Sequence, residues 1–474
     1  MPRQEVETIP VEPSRWRERC RRELGEGGRF CGAHVSGGPA KRRWSALFAR
    51  GSGTRVFTTG VEGEGPASIV DLAPAAQWDE REAHDLYGLR FAGHEPIRPL
   101  LDHSVETAAW TTPVEGQGVN QVAVGPIHAG VIESGHFRFH VVGERILHLD
   151  PKLFYKRRGL EHAAEGRELG DGLAFAQRAC GACAVTNAVA YAQACEQMLG
   201  LQPPRALRRA RTLLLELERL YNHLNDLAAA CAGVGFATGN MAFAALKERA
   251  MQLNAATTGH RFLFGSVEVG AGRLVLGAQQ ARQLRDQLQE LRGDAARVWR
   301  EVRFSASVQA RLGGIGVLDR DSAARLGAVG PAARASGLEQ DTRGESPGLW
   351  YESSFSVAVP AGEAGDVAAR LEVRAIELEA SFAILDDLLS KPIEACAAEP
   401  SAPGAAIGVA RVESPRGETA CVVEHRLGRV SRLRLRTGSY ANWPALAHAT
   451  TGDLLPDFPL INKSFELCYA CVDR

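Results

Sequence analysis

The stretch PPRALRRARTLLLELERLYNHLNDLAA at residues 203–229 is the clearest structural signal in the larger part of this chain. Its apolar residues recur at i, i+3 and i+4, with charged and amide residues between them, which predicts a long amphipathic helix. The same spacing returns at 240–258, 276–301 and 364–391, so a mainly helical domain is expected from about residue 151 onward. We expect the arginines of the stretch to form the solvated face of the helix rather than a nucleic-acid site.

Strand-forming runs precede and follow the helical region. Residues 10–100 combine a short amphipathic helix, WRERCRREL, with the strand-like runs RWSALFA, TRVFTTGV and ASIVDLA. The run VAVGPIHAGVIESGHFRFHVVGERILHLDP alternates apolar and polar residues and predicts a short antiparallel sheet, and more strands are expected near 408–412, 419–424 and 429–436. The predicted fold class is α+β, with a small N-terminal α/β domain before a mainly α-helical domain that carries short antiparallel sheets.

Length and composition narrow the possibilities further. A chain of 474 residues exceeds the roughly 250–300 over which one core keeps growing. We therefore predict a first domain at 1–102, a linker at 103–120 and a second domain at 121–474. The net charge of −1 offers no general attraction to nucleic acid. No apolar run approaches the roughly 20 residues of a membrane span, and the N-terminus does not resemble a secretory signal. These features predict a cytoplasmic protein that reaches a membrane only through partners.

Two Cys-x-x-Cys pairs stand out among the ten cysteines: Cys180 with Cys183, and Cys468 with Cys471. In a reducing compartment, paired thiols are more often metal ligands or redox groups than disulfides. Four thiolates suit a soft metal, although a redox dithiol or two unrelated pairs are alternatives. Since 284 residues separate the pairs, against roughly 15–20 in a compact zinc ribbon, the folded domain must bring them together. We expect a metal used for chemistry, and we expect the other six cysteines to be buried as small apolar residues.

Two charged residues become informative beside these cysteines. Glu161, on a predicted helix, would pass protons to and from a buried metal site, whereas a lone helical glutamate is usually solvated. Arg416 lies in a predicted turn between two strands and presents a rigid fork of donors. It would hold anionic ligands next to a metal, whereas a surface arginine at this position would pair with Glu413 or Glu418.

The order of several motifs resembles one known family. The segments WDEREAHDLYGLRFAGH, GPIHAGVIESGHFRFH, LFYKRRGLE, RACGAC, ELERLYNHLNDL, GPAARASGLEQDTR, ESPRGE and CYACVDR follow one another along the chain. This order is similar to that in the large, catalytic subunit of membrane-associated nickel–iron hydrogenases of the formate-hydrogenlyase type. That family is related to the quinone-site core subunit of respiratory complex I. The resemblance covers about residues 65–474. Residues 1–100 resemble a small peripheral-arm subunit of complex I, which is fused to the catalytic subunit in this branch.

The resemblance implies that the four cysteines hold a nickel–iron centre. Cys180 and Cys468 would be terminal nickel ligands, while Cys183 and Cys471 would bridge the nickel to an iron that carries cyanide and carbonyl ligands. Electrons from H2 would pass to an iron–sulfur cluster in a partner small subunit. Other complex I-like subunits, including a membrane arm, would complete the assembly. The chain would lie peripherally on the cytoplasmic face of the inner membrane.

The resemblance also implies roles for residues outside the cysteine pairs. Glu161 would be the proton gate beside Cys468. Arg416 would lie over the metals, contact the diatomic ligands and assist hydrogen splitting. Pro415 and Glu466 would line the cofactor.

Three positions depart from the family pattern. Asn187 stands where the family has a histidine, four residues after the second cysteine of the first pair, and Glu466 and Leu467 stand where it has Asp-Pro before the third cysteine. Side chains next to metal ligands orient them and tune the metal, so these changes bear on turnover more than on assembly of the site. Family precursors lose a C-terminal extension after nickel loading. A chain that stops at Arg474 is expected to be either the processed form or the product of a gene without an extension.

The sequence leaves three functions open. The first is an oxidoreductase that cleaves and forms hydrogen reversibly. The second is a complex I-like NADH/quinone oxidoreductase subunit without hydrogen chemistry, in which His128 would take the place of a quinone-contacting histidine. Complex I subunits of this kind lack the four cysteines. The third is a non-catalytic scaffold subunit, which Asn187 and Leu467 favour.

Overall fold

A computed structural model of the chain describes residues 5–38, 41–61, 65–128, 133–345, 348–351, 355–360, 362, 364–401 and 404–474. Its helices are α1 Trp16–Gly25, α2 Gln77–Tyr87, α3 Thr107–Trp110, α4 Leu160–Ala164, α5 Leu169–Gln177, α6 Ala184–Met198, α7 Arg205–Gly233, α8 Ala237–Thr258, α9 Ala278–Phe304, α10 Ala306–Leu312, α11 Arg320–Arg325, α12 Gly330–Ala335, α13 Thr342–Glu345, α14 Val367–Leu388, α15 Gly438–Ala449 and α16 Phe458–Phe465. Its strands are β1 Val6–Pro10, β2 Arg29–Ser36, β3 Arg43–Arg50, β4 Gly53–Gly60, β5 Val119–Val124, β6 His136–Val142, β7 Arg145–Lys152, β8 Leu201–Gln202, β9 Ala271–Gly272, β10 Cys396–Ala397, β11 Glu399–Pro400, β12 Ile407–Ser414, β13 Gly417–Arg426 and β14 Arg429–Arg436.

The N-terminal part is built on a four-stranded sheet. Its strand order is β1-β4-β3-β2, with β1 parallel to β4 and the other neighbours antiparallel. Helices α1 and α2 pack on this sheet around a separate core that includes Trp16, Trp44 and Phe48. The expected helix and the strands at RWSALFA and TRVFTTGV are therefore present. The prediction of a strand at ASIVDLA is wrong. This run forms turns, and Ile69 and Ala73 reach the core from them, so burial rather than a strand accounts for its apolar residues.

Helix α7 is the central element of the larger domain. It packs against α6, α8, α14 and α16, and its leucines are buried, as the spacing in 203–229 predicts. The prediction that its arginines form a solvated face is wrong for Arg211 and Arg219. Both are buried, because each pairs with a buried carboxylate, Glu196 and Glu216 respectively.

Two three-stranded antiparallel sheets complete the larger domain, β5-β6-β7 and β12-β13-β14. The sheet predicted from the run that begins VAVGPIHAG is present, although its residues 129–132 lie outside the described part and His128 lies outside a strand. Strands β12 and β13 form a hairpin with residues 415–416 at its tip, as the turn prediction requires. The N-terminal sheet covers this hairpin through apolar contacts that include Leu47, Val56 and Val422.

Two further predictions concern the burial of the six cysteines outside the pairs and the question of a membrane-spanning helix. Of the six cysteines outside the pairs, Cys396 is partly exposed and the other five are buried. Within the described part of the chain, no helix combines the length and the apolar character that crossing a bilayer demands.

Candidate metal centre

The two cysteine pairs meet in the interior of the molecule. The first pair precedes α6 and the second follows α16. The Sγ atoms of Cys180 and Cys468 are 3.2 Å apart, and those of Cys180, Cys183 and Cys471 all lie within 4.8 Å of one another. Cys468 is partly exposed and the other three are buried. The tertiary structure brings together the four thiols that their spacing had singled out.

Crowding shifts the acidity of these thiols. Hydrogen bonding with Cys180 and Cys471 lowers the pKa of Cys183 to about 6. Hydrogen bonding with Cys180 is the main cause that raises the pKa of Cys468 to about 12, and the pKa of Cys471 is raised for the same reason. Four thiols this close cannot all ionise unless a cation offsets the repulsion between the thiolates. The cluster fits a thiophilic cation, which would displace the thiol protons as it binds.

Arg158 joins the two cysteine-bearing segments through their backbones. Its Nη2 donates at 2.6 Å to the oxygen of Ala179, immediately before the first pair, and at 2.7 Å to the oxygen of Ala470, inside the second pair. Its Nε donates to the oxygen of Asp473 at 3.2 Å. Nothing in the local sequence KRRGLE separates this arginine from its neighbour, so sequence reasoning missed it.

Arg416 lies at the tip of the β12–β13 hairpin and points into the domain. Its Nε donates to the backbone oxygen of Glu466 at 2.8 Å, and its Nη2 donates to Asp226 at 2.9 Å. Burial opposes the guanidinium charge, but Asp226 and then the cluster thiols raise the pKa of Arg416 above its usual value. Glu413 and Glu418, the alternative surface partners, pair with other arginines. Arg416 is therefore a buried cation beside the cysteines.

The conformation of this hairpin tip depends on Gly417. Its φ of 117° lies in a region that favours glycine, and a Cβ there would stand 2.7 Å from the backbone nitrogen of Gly330. Pro415, on the other side of Arg416, is buried in the same turn. The tip is therefore packed tightly enough to fix where the guanidinium points.

Asp226 is a buried residue of the site that sequence reasoning missed. It lies on α7 and accepts from Arg374 at 3.0 Å as well as from Arg416. Burial acts to raise its pKa, but Arg416, His223 and Arg374 together hold the pKa of Asp226 well below its usual range. The available signal was an acidic residue directly before the apolar run LAAACAG that ends this helix, because a buried charge requires a partner.

Glu161 lies on the short helix α4, as predicted, and is buried. Its Oε1 accepts from the backbone N–H of Leu435 and from Nε of Arg474, both at 2.7 Å. Arg434 lies 3.8 Å from its Oε2. These contacts place Glu161 against the end of the second cysteine segment. Its role as a proton gate beside Cys468 stays a prediction.

Glu133 is a second carboxylate near the cysteines, and the sequence did not single it out. It lines an apolar cavity of about 520 Å³ together with Cys468, His128 and Phe137. Burial, followed by the charge of Cys468, raises the pKa of Glu133. In the alternating run that contains it, nothing separates Glu133 from an ordinary polar position, so periodicity could not have found it.

The positions that depart from the family pattern also lie at the cluster. Glu466 and Leu467 line the same apolar cavity, and burial followed by the charge of Asp226 raises the pKa of Glu466 to about 7. The Asn187 side chain is fully buried one turn after Cys183. Among the described residues, neither polar atom of Asn187 has a partner, and the same holds for Nη1 of Arg416. Leaving such groups unpaired costs about 1–3 kcal/mol each, so the site fits a group that accepts hydrogen bonds.

Three family descriptions match parts of the chain. "Respiratory-chain NADH dehydrogenase, 49 Kd subunit" matches residues 233–405 and 393–474. "Respiratory-chain NADH dehydrogenase, 30 Kd subunit" matches residues 49–113. "Nickel-dependent hydrogenase" matches residues 158–227, a range that contains the first cysteine pair.

Curated relatives and a solved structure extend these matches over most of the chain. Formate hydrogenlyase subunit 5 of Escherichia coli (strain K12) is 32% identical over 440 residues, or 86% of this chain and 76% of the relative. Hydrogenase-4 component G of the same strain is 32% identical, over 86% of this chain and 75% of the relative. Membrane-bound hydrogenase subunit alpha of Pyrococcus furiosus is 30% identical, over 75% of this chain and 87% of the relative. A chain of the membrane-bound sulfane sulfur reductase, an archaeal respiratory membrane complex, has a TM-score of 0.68 at 26% identity, covering 77% of this chain and 100% of that one.

Proposed function

Because the chain belongs to the family of formate-hydrogenlyase-type hydrogenase large subunits, we propose that it cleaves and forms dihydrogen at a nickel–iron centre. The members of this family are oxidoreductase subunits related to the 49 Kd subunit of respiratory-chain NADH dehydrogenase. The observation that carries the proposal is the convergence of four buried or partly buried thiols beside the cationic Arg416. Soft thiolates suit nickel and iron. When bound, such a centre supplies a site for heterolytic cleavage of dihydrogen.

The residues around the cluster have separate tasks in this proposal. Cys180 and Cys468 would hold nickel, while Cys183 and Cys471 would bridge nickel and iron. These ligands come from both ends of the domain, so the site forms only when the domain has folded.

Arg416 supplies a fixed positive charge over the cluster. Asp226 and the Glu466 carbonyl orient its guanidinium, which leaves Nη1 free among the described residues to donate to a cyanide or carbonyl ligand. Asn187 offers a second unpaired buried donor, and Pro415 and Glu466 would line the cofactor. A preorganised donor of this kind is worth most in a buried site, where little water competes with it.

Metal analysis and infrared spectroscopy of the assembled complex test the proposal. After co-expression with maturation proteins, we expect near-stoichiometric nickel and iron and the stretching bands of cyanide and carbonyl. Cys468→Ser should lose nickel, whereas Cys396→Ser, at a partly exposed cysteine outside the cluster, should keep it. Stoichiometric zinc, or the absence of the infrared bands, would contradict a nickel–iron centre and would favour a scaffold subunit.

Proton transfer needs a carboxyl group near the centre, and two are candidates. We propose Glu161 as the gate, from the resemblance and its burial beside the second cysteine segment, while the cavity shared with Cys468 supports Glu133. Replacing the gate by glutamine should slow the exchange of H2 with deuterated solvent, measured per bound nickel, about a hundredfold. Glu165→Gln, one turn beyond Glu161, is the control and should leave the rate unchanged. A full rate in Glu161→Gln together with a loss in Glu133→Gln would pass the role to Glu133.

The apolar cavity also favours a second function, electron transfer to a quinone without hydrogen chemistry. His128 and Phe137 line it, as a site for an apolar ring would require. Unchanged electron transfer to quinone in the complex with Cys468→Ser would support this function over the first.

We also propose that the chain works within a larger complex. The relatives and the solved neighbour carry names of membrane-bound hydrogenases and respiratory membrane complexes. We infer an iron–sulfur small subunit that accepts the electrons, and attachment to the cytoplasmic face of the inner membrane through partner subunits. Co-purification of such a subunit with the tagged chain, from the membrane fraction, is the expected result.

A further inference from the structure

The N-terminal domain reaches the second cysteine segment through helix α2. Glu82 of α2 accepts from Nη1 of Arg434 at 2.6 Å and from the hydroxyl of Tyr440 at 2.8 Å. Its two carboxylate oxygens lie 3.1 and 3.0 Å from Nη2 of Arg474. All four side chains are buried. Glu82 therefore links α2 to β14, to α15 and to the residues that follow the second cysteine pair.

Arg474 is held by carboxylates from both domains. Its Nε donates to Glu161 of the larger domain, and its Nη2 donates to Glu82 of the N-terminal domain. The ring of Tyr440 lies 4.5 Å from the guanidinium. Because Arg474 closely follows Cys471 in the sequence, its guanidinium fixes the end of the segment that carries Cys471.

The surroundings make these ion pairs important for the position of the segment. Burial opposes ionisation of Glu82, but Arg434 and Arg474 hold its pKa well below the usual range, so the carboxylate stays charged. A cavity of about 740 Å³ along the domain interface is lined by Glu82, Glu161, Val472 and Arg474, among others. The ion pairs of Arg474 hold the end of the segment beside this cavity, while Leu467, Tyr469 and Val472 pack in the main apolar core. Removing one partner of a buried pair leaves an uncompensated charge, which is strongly destabilising.

From these contacts we propose that Glu82 is a positioning residue for the metal centre: it acts through Arg474 to hold the segment with Cys468 and Cys471 in its metal-binding position. The N-terminal domain, which supplies none of the four cysteines, thereby contributes to the site. The inference rests on the proposed metal centre, but one part of its test needs no metal.

Amide hydrogen exchange of the metal-free full chain tests the contact itself. In the segment 467–474, the amides of Val472 and Asp473 both donate to the oxygen of Tyr469. Glu82→Gln should speed exchange of this segment about tenfold or more. The matched control is Arg29→Gln, which breaks another ion pair of the same interface, with Glu418, and should leave the segment as in the parent. No acceleration in Glu82→Gln, or equal acceleration in both variants, would overturn the proposal.

Metal retention in the assembled complex tests the consequence. Glu82→Gln should lose nickel to a chelator about tenfold faster than the parent or Arg29→Gln, with shifted cyanide and carbonyl bands. Faster amide exchange with unchanged nickel loss and unchanged bands would overturn the positioning role. A parent complex without nickel or these bands would instead refute the proposed function, and the exchange result alone would then decide whether Glu82 holds the segment.

A second variant covers the case in which Glu82→Gln does not accumulate. Tyr440→Phe removes one hydrogen bond to Glu82 and leaves every charge in place. It should speed exchange of 467–474 by a smaller factor than the loss of charge. Exchange equal to that of the parent would then overturn the proposal.

Discussion

Among single residues, Arg158 sets the distance between the two segments that carry the cysteine pairs. Its guanidinium bonds backbone oxygens next to both cysteine pairs, so it supplies no ligand and still relates the ligands to one another. A planar fork can reach several oxygens at once, whereas an ammonium is a point donor. The two Cys-x-x-Cys spacings could be identified directly from the sequence. The arginine that aligns them could not, because its partners lie in segments up to 315 residues away.

Arg158→Lys should keep the positive charge and lose the bridge. We expect nickel content in the assembled complex about tenfold below that of the parent, because the two pairs are no longer held in register. Arg157→Lys, at the exposed neighbour, is the matched control and should load normally. Equal nickel in the two variants would show that Arg158 does not position the pairs.

At the scale of elements, helix α6 depends on a neighbouring helix for its first turn. It begins directly after Cys183, and no side chain of its own N-cap residue satisfies its free N–H groups. Glu218 of α7 accepts from the backbone N–H groups of Val185 at 2.6 Å and Thr186 at 3.1 Å. The carboxylate thus caps the helix that positions the first cysteine pair. Periodicity predicted both helices, but it could not predict that one caps the other.

Burial raises the pKa of Glu218 to about 7, against the opposing effect of its hydrogen bonds with Thr186 and Val185. The folded chain therefore holds this proton more tightly than the unfolded chain, whose ordinary value is 4.5. The resulting stability is fully present below about pH 4.5 and is lost as the pH rises through about 7, by up to about 3 kcal/mol.

Denaturant unfolding of the metal-free chain at a series of pH values measures this effect. Between pH of about 4.5 and 7, the free energy of unfolding of the parent should fall relative to that of Glu218→Gln, which cannot ionise. Glu290→Gln, at an exposed position on α9, should follow the parent. Parallel curves for the parent and Glu218→Gln would contradict the predicted titration.

At the scale of the whole molecule, the N-terminal domain supplies partners for buried charges of the larger domain. Asp79 on α2 lies 3.0 Å from Arg434 and 3.1 Å from Arg436, both on β14. Apolar residues of the N-terminal sheet also cover β12 and β13, the hairpin that carries Arg416. The domain boundary at 102 proposed from the sequence therefore separates segments that depend on each other.

Removing residues 1–102 should leave Arg434, Arg436 and Arg474 without their carboxylate partners on α2. We expect the chain 103–474 to have an apparent melting midpoint lower by roughly 10 °C, since each broken buried pair costs several kcal/mol. Supplying 1–102 as a separate chain should restore part of the loss. A midpoint equal to that of the full chain would show that the interface adds no stability.

The local features of this protein could be predicted from its amino-acid sequence. The apolar repeat at 203–229 was enough for the central helix, alternating runs were enough for most strands, and the spacing of Cys180, Cys183, Cys468 and Cys471 was enough to propose a metal. The turn at 415–416 was predicted in the same way. Such features depend on residues a few positions apart, and their periodicity is visible along the chain.

The identity of the buried charged residues and of their partners became visible in the folded chain alone. Arg211 and Arg219 were expected in solvent and are paired inside, while Asp226, Arg158 and Glu82 became part of the site through contacts across domains and helices. A buried charge is stable only beside a partner of opposite charge or a suitable hydrogen-bonding group. That partner can come from any part of the chain, so no local spacing encodes it.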